Sequence, residues 1–170
     1  MHKLRLVLLF IASFMSSAAF AAADRQSFGG AGLGLRVLAQ NGSGTGVYLQ
    51  LHGGYAFTPI YALGLHGGYS NVGTVRIRTF DFGAFGQMLE PDSGLYLRLY
   101  LDGVNASVND GGSRHGVQGN QTGFAPGLGV GMLIPTAGDF HLVPEVTYHA
   151  AFLDSAVNLI DATFNLMWDF

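Results

Sequence analysis

Six histidines, eleven acids and eight basic residues are the ionisable stock, besides tyrosine, of this 170-residue chain, and cysteine is absent. Without a thiol there is no sulfur nucleophile, zinc-thiolate centre or disulfide, so histidine is the main remaining source of acid-base or metal chemistry. His52 and His66 lie in two copies of one pentapeptide, Leu51-His52-Gly53-Gly54-Tyr55 and Leu65-His66-Gly67-Gly68-Tyr69. A tight turn at Thr58-Pro59-Ile60 that sets Phe57 against Tyr61 brings the two imidazoles opposite each other. Two rings alone do not make a metal site, which takes at least a third protein ligand. Hydrogen-bonded neutral histidines, no metal and no cofactor are expected. His115, two residues after Ser113, reads as a solvated loop residue. The runs Gly30-Ala31-Gly32-Leu33-Gly34 and Gly127-Leu128-Gly129-Val130-Gly131 suggest nucleotide loops, yet neither completes G-x-G-x-x-G and neither opens a helix.

The elements that must carry these residues are strands. Met1-His2-Lys3-Leu4-Arg5, the apolar run to Ile11 and the stretch Ala18-Ala19-Phe20-Ala21-Ala22-Ala23 have the order of a secretory signal peptide. Residues 1–21 are assigned to it, with cleavage after Ala21 or Ala23, and 22–170 to a single domain. That domain has no lysine and sets six arginines against eleven acids, a formal charge of −5, which argues against a nucleic-acid surface. The chain is 49% hydrophobic and only 11% charged, yet no later apolar run is long enough for a membrane helix. A closed barrel is the other structure that satisfies its backbone in lipid.

Alternation supports it. Ala31, Leu33, Leu35 and Val37 oppose Gly30, Gly32, Gly34 and Arg36; Val47, Leu49, Leu51 and Tyr55 oppose Tyr48, Gln50, His52 and Gly54. Leu95, Leu97, Leu99 and Leu101 oppose Tyr96, Arg98, Tyr100 and Asp102, and Ile160, Ala162, Phe164, Leu166 and Trp168 oppose Asp161, Thr163 and Asn165. Only Thr74 to Leu89 breaks the pattern, since Val75 and Ile77 differ in parity from Phe80, Phe82 and Met88. A bulge near Thr79 is the expected repair. The apolar face goes to lipid, with Phe28, Phe57, Tyr61, Phe140, Trp168 and Phe170 as one aromatic girdle and Tyr69, Phe124, Tyr148 and Phe152 as the other. The polar face goes to a narrow lumen, where charges must be paired. Gly127, Gly129 and Gly131 leave room for Arg98 and Glu145 to meet across the sixth strand, and Asp102, His52, His66 and Asp161 complete the expected lumen network. A water-filled cavity beside the glycines is the alternative.

Short Pro-bearing turns at 58–60, 90–94 and 135–139 alternate with connections at 39–46, 71–74, 104–121 and 153–155. The fold class is therefore all-β: a closed antiparallel transmembrane β-barrel of about eight strands, with short periplasmic turns, longer extracellular loops and periplasmic termini. Phe164-Asn165-Leu166-Met167-Trp168-Asp169-Phe170 ends the chain with apolar residues, Phe164, Leu166, Trp168 and Phe170, at every second position. This resembles the C-terminal signature of bacterial outer-membrane proteins, and the domain as a whole resembles the small OmpA/OmpX-like barrels. The resemblance implies escort by periplasmic chaperones and insertion by the barrel-assembly machinery. It implies no single activity. Lipid A deacylases of this architecture carry a His-x-Ser motif, but here His149 is followed by Ala150 and Ala151. Palmitoyltransferase-type barrels have an amphipathic helix before the first strand, where this chain has only Asp24 to Ser27. A non-enzymatic structural or surface role in the cell envelope is expected, with a narrow channel as the second reading and a lipid-modifying enzyme as the third. Outer-membrane lipids and lipopolysaccharide are the expected partners, the latter through Arg76 and Arg78, for which a lumen-facing or solvated placement is the equal alternative. A monomer is expected.

Overall fold

The computed structural model describes residues 26–39, 43–73, 76–108, 113–114, 117–136 and 138–169. The signal segment 1–21, Val75, His115 and the terminal Phe170 lie outside them. The described residues form eight long strands, β1 (Gln26–Ala39), β2 (Ser43–Ala56), β3 (Tyr61–Val72), β4 (Ile77–Leu89), β5 (Leu95–Val108), β6 (Asn120–Met132), β7 (Phe140–Phe152) and β8 (Ala156–Asp169). Each is antiparallel to its sequence neighbours, and β8 returns to β1, from Phe28 opposite Asp169 to Ala39 opposite Asn158. Closure leaves no unpaired edge, which is what a strand in hydrocarbon requires. Ile134–Pro135 prolong β6 beside β7, and Ser113–Arg114 pair with Val117–Gln118 in the longest connection.

One end of the barrel carries the turns. At 90–94 the Glu90 carboxylate accepts hydrogen bonds from Ser93 N at 2.8 Å and Ser93 Oγ at 2.5 Å, which holds it below the usual carboxylate range. Gly94 closes this turn at φ 72°, and a Cβ there would lie 2.5 Å from Leu133 O, so glycine is required. At the opposite, loop end the strands run further than composition suggests. Much of 39–46 belongs to β1 and β2, and Val104–Val108 and Asn120–Gln121 are strand. Pairing with neighbours overrides the Gly and Asn content there.

The fourth strand contains no bulge. Its register is unbroken from Met88 opposite Tyr61 to Ile77 opposite Val72, and likewise against β5. Ile77 points inward and is fully buried, whereas Arg78, Phe80, Phe82 and Met88 face out. The polarity code itself reverses near the loop end. Leu38, Val72, Ile77, Val104, Ala106, Val108, Val157 and Leu159 form an apolar cluster inside the wall. Thr45, Asn71, Arg78, Asn105, Thr122 and Asn158 lie on the outward side at this end. Below that level the outward face is Leu, Val, Phe and Tyr, with Leu51, Leu65, Phe82 and Val130 more than half exposed. Outward polarity means water and outward apolarity means lipid, so the switch marks where the barrel leaves the bilayer. Phe28 is corrected by the same logic: it lies inside, 6.2 Å from Phe85 between ring centroids, and does not belong to the outer girdle.

Candidate functional site

The lumen holds the chain's buried chemistry, in two arginine-centred clusters joined by histidines. Arg36 on β1 opposes Asp161 on β8 in the closing ladder, and the guanidinium fork meets the carboxylate with both arms, Nε to Oδ1 at 2.6 Å and Nη2 to Oδ2 at 2.7 Å. Its Nη1 donates to Asp81 Oδ1 at 2.5 Å and to Thr79 Oγ1 at 2.7 Å. Tyr48 lies under it, ring centroid 3.9 Å from Cζ, and donates to Asp81 Oδ2 at 2.7 Å. One cation thus serves two carboxylates, and its planar fork suits that task better than a lysine ammonium.

Arg98 on β5 is the second centre and has no exposed surface. Its Nη1 lies 2.9 Å from Glu145 Oε2, and its Nε donates to Gln87 Oε1 at 2.7 Å. Tyr96 donates to Glu145 Oε2 at 2.8 Å, and Tyr100 donates to Glu145 Oε1. The guanidinium also stacks over Phe85 and Tyr96, each 4.6 Å away. The side chains cross β6 because it carries none here: a Cβ on Gly129 would lie 2.5 Å from Glu145 Oε1, and one on Gly127 would lie 2.5 Å from His149 Nδ1. Gly30 and Gly32 are covered by His52 and Asn165 in the same way. These glycines therefore hold neighbouring side chains rather than an open channel.

Asp102 links the clusters. His66 Nε2 lies 2.6 Å from its Oδ1, His149 Nδ1 3.1 Å from its Oδ2, and His149 Nε2 3.7 Å from Asp161 Oδ2. His52 is opposite His66 in the β2–β3 ladder, but its ring stands edge-on to Phe85 while His66 turns to Asp102. Among the described residues no three of His, Cys, Asp and Glu converge as a metal site. His149 is 3% exposed, so a solvent-borne substrate cannot reach it.

Sequence parity placed Asp102, Asp161, Arg98 and Glu145 on the lumen face but missed Asp81, Gln87 and Phe85 on the irregular fourth strand. Counting back from Phe80, Phe82 and Met88 alone, without Ile77, would have put all three inside. Arg78 lies on the outward face beside Asn71 and Ser107, and Arg76 precedes β4 at φ 55°. Phe164, Leu166 and Trp168 line the outside of β8. At the turn end a vestibule of about 530 Å³ opens between Gln26, Phe28, Gln87, His141, Met167 and Asp169. It stops at Gln87, which Arg98 holds.

No protein-family model and no curated sequence matches the chain. Solved structures do. Neisserial surface protein A is similar over 87% of this chain and 100% of its own, with a TM-score of 0.72 at 16% identity. Ail, the attachment invasion locus protein of Yersinia pestis, is similar over the same shares with a TM-score of 0.60 at 14% identity. Its complex with the heparin analogue sucrose octasulfate gives 0.55 at 15%, again over 87% and 100%. The chain has the closed eight-stranded fold of the small OmpA/OmpX-like outer-membrane barrels.

Proposed function

We propose that this protein is a non-enzymatic, non-conducting barrel of the bacterial outer membrane with a structural or surface role in the envelope. The observation that carries the reading is the filled interior. Two arginine clusters occupy the lumen at membrane depth, and the Leu38, Val72, Ile77 and Val104 cluster seals it beneath the loops. An ion would have to break buried salt bridges and then cross an apolar constriction, which gates by excluding water. Among the described residues the lumen histidines His52, His66 and His149 are all buried, so none is open to a substrate as a base. Two of the similar structures are named for a surface location or for attachment, which supports the surface role.

Lipids surround the outward face, and phosphate-bearing lipopolysaccharide is the partner for Arg78, with Arg76 at the same rim. Periplasmic chaperones and the barrel-assembly machinery handle the chain before insertion, the latter reading the C-terminal sequence through Phe164, Leu166, Trp168 and Phe170. The barrel works as a monomer. Planar-bilayer recording on the purified protein tests the central claim: electrical silence is expected, and steady unitary conductance across many insertions refutes it.

A further inference from the structure

Seven of the eight strand-to-strand ladders run without interruption. The ladder between β6 and β7 does not. It is continuous from Glu145 opposite Gly131 to His149 opposite Gly127, skips Ala150 and Ala151, and resumes at Phe152 opposite Phe124. Toward the turn end it skips Val143 and Pro144 and resumes at Leu142 opposite Ile134. Each gap contains a proline with no N–H to give. Pro126 keeps its place opposite Leu101 on β5, and Pro144 keeps its place opposite Phe164 on β8, so both lose pairing on the seam they share. Leu133, inside the gap toward the turn end, sends its amide to Gly94 O at 2.8 Å instead. A notch of about 190 Å³ opens on the lipid side at Pro144, Val130 and Phe164.

The lumen compensates from within. Glu145 and His149 stand on β7, and their partners stand two strands away on β5: Arg98, Tyr96 and Tyr100 for the first and Asp102 for the second. All of these contacts pass over Gly127, Gly129 and Gly131 on β6. We infer that the β6–β7 seam is a lateral opening of the barrel wall and that the Glu145 and His149 contacts with β5 are its latch. Five backbone pairs between two proline gaps hold the seam, and the latch ties β7 to β5 across the strand that would be left behind. When the seam parts, Glu145 leaves with β7 and its arginine stays with β5.

Native-state hydrogen exchange on the full barrel in lipid nanodiscs reads this directly. In the unaltered protein the amides at 127–131 and 145–149 are expected to exchange at least tenfold faster than the mid-strand amides of β2, β3 and β8. Equal protection, or faster exchange at the β8–β1 ladder, overturns the inference. Glu145→Gln, close in size, is expected to raise exchange at the seam a further tenfold and leave β2 and β3 unchanged, whereas a uniform rise in all strands overturns the latch. Because cysteine is absent, Leu128→Cys with Tyr148→Cys forms a unique disulfide across facing positions. Oxidation is expected to restore protection at 127–131 in the Glu145→Gln background. No recovery in the oxidised protein overturns the assignment of the opening to this seam.

Discussion

Replacing Gly129 by alanine adds one methyl group to a strand, and the structure says where it goes. The new Cβ would stand 2.5 Å from Glu145 Oε1, with Tyr100 Cε2 at 3.0 Å and Thr147 Oγ1 at 3.1 Å. The carboxylate must retreat by about an ångström to reach ordinary contact, and the neighbouring ring and hydroxyl close off the sides. Overpacking of this kind costs roughly 1–3 kcal/mol. Retreat also draws Glu145 from an arginine 2.9 Å away with no exposed surface, and a buried pair broken outright costs about 3–5 kcal/mol. A partial break places the sum at roughly 2–4 kcal/mol, a factor of about 30 to 700 in the folding equilibrium. Gly103 is the control. It faces outward, its nearest neighbour to a Cβ is Phe82 O at 3.7 Å, and alanine there should be neutral or stabilise by about 0.4–1 kcal/mol through the unfolded chain. Urea unfolding in liposomes, followed by the mobility difference between folded and unfolded barrel on gels, measures both. A Gly129→Ala barrel within about 0.5 kcal/mol of the parent, or equal effects at the two sites, refutes the filled lumen.

Three further outcomes follow from the same geometry. Arg36→Ala leaves Asp81 and Asp161 buried without their cation and should destabilise by about 3–5 kcal/mol, while Arg36→Lys, which cannot span both carboxylates, should recover only part of the loss in the same assay. Ile77→Asp places a charge in the apolar seal and should lower stability and admit intermittent ion passage in planar bilayers, whereas Phe80→Ala, three residues on but facing lipid, should leave the bilayer silent. Because hydrogen bonds from Ser93 hold the exposed Glu90 carboxyl below its ordinary value, its contribution is complete above that value of about 4.3 and is lost as pH falls through the lower folded one. NMR shifts of the Ser93 and Leu95 amides should move in that acid range, and Glu90→Gln should abolish the transition.

The sequence disclosed the barrel because lipid imposes a period of two over every membrane-crossing stretch, and seven of the strands obey it openly. It concealed whatever depended on leaving the lipid. Ile77 and Val72 obey an aqueous code, and a reading that assumed one code for the whole strand had to insert a bulge near Thr79. The same assumption extended the loops into Asn105 and Asn120, which are strand residues standing in water. The partner choices were equally hidden. Parity puts His52 and His66 opposite each other, but only the heights of Phe85 and Asp102 on other strands send the two rings to different neighbours. Asp81 escaped notice although it completes the Arg36 cluster, because its strand was the one with uncertain faces. Conversely, the glycines on β6 carried an argument legible in one dimension, since a strand without side chains needs side chains from elsewhere to fill its space.

The reversal of polarity along the strands also fixes how deep the barrel sits. The outward apolar stretches Val47–Tyr55, Tyr61–Tyr69 and Phe80–Met88 are nine residues each, which at about 3.3 Å per residue and a tilt near 40° gives roughly 23 Å of hydrophobic height. Sinking it draws Arg78, Asn71 and Thr122 into hydrocarbon, and raising it puts Tyr69, Phe80 and Phe124 into water. The rigid wall can satisfy neither, so the bilayer must come to the protein's thickness. A barrel this short is mismatched to a typical core of about 30 Å and suited to the thinner bacterial outer membrane. Its own strand pattern thereby favours one membrane over the other before any receptor reads an address.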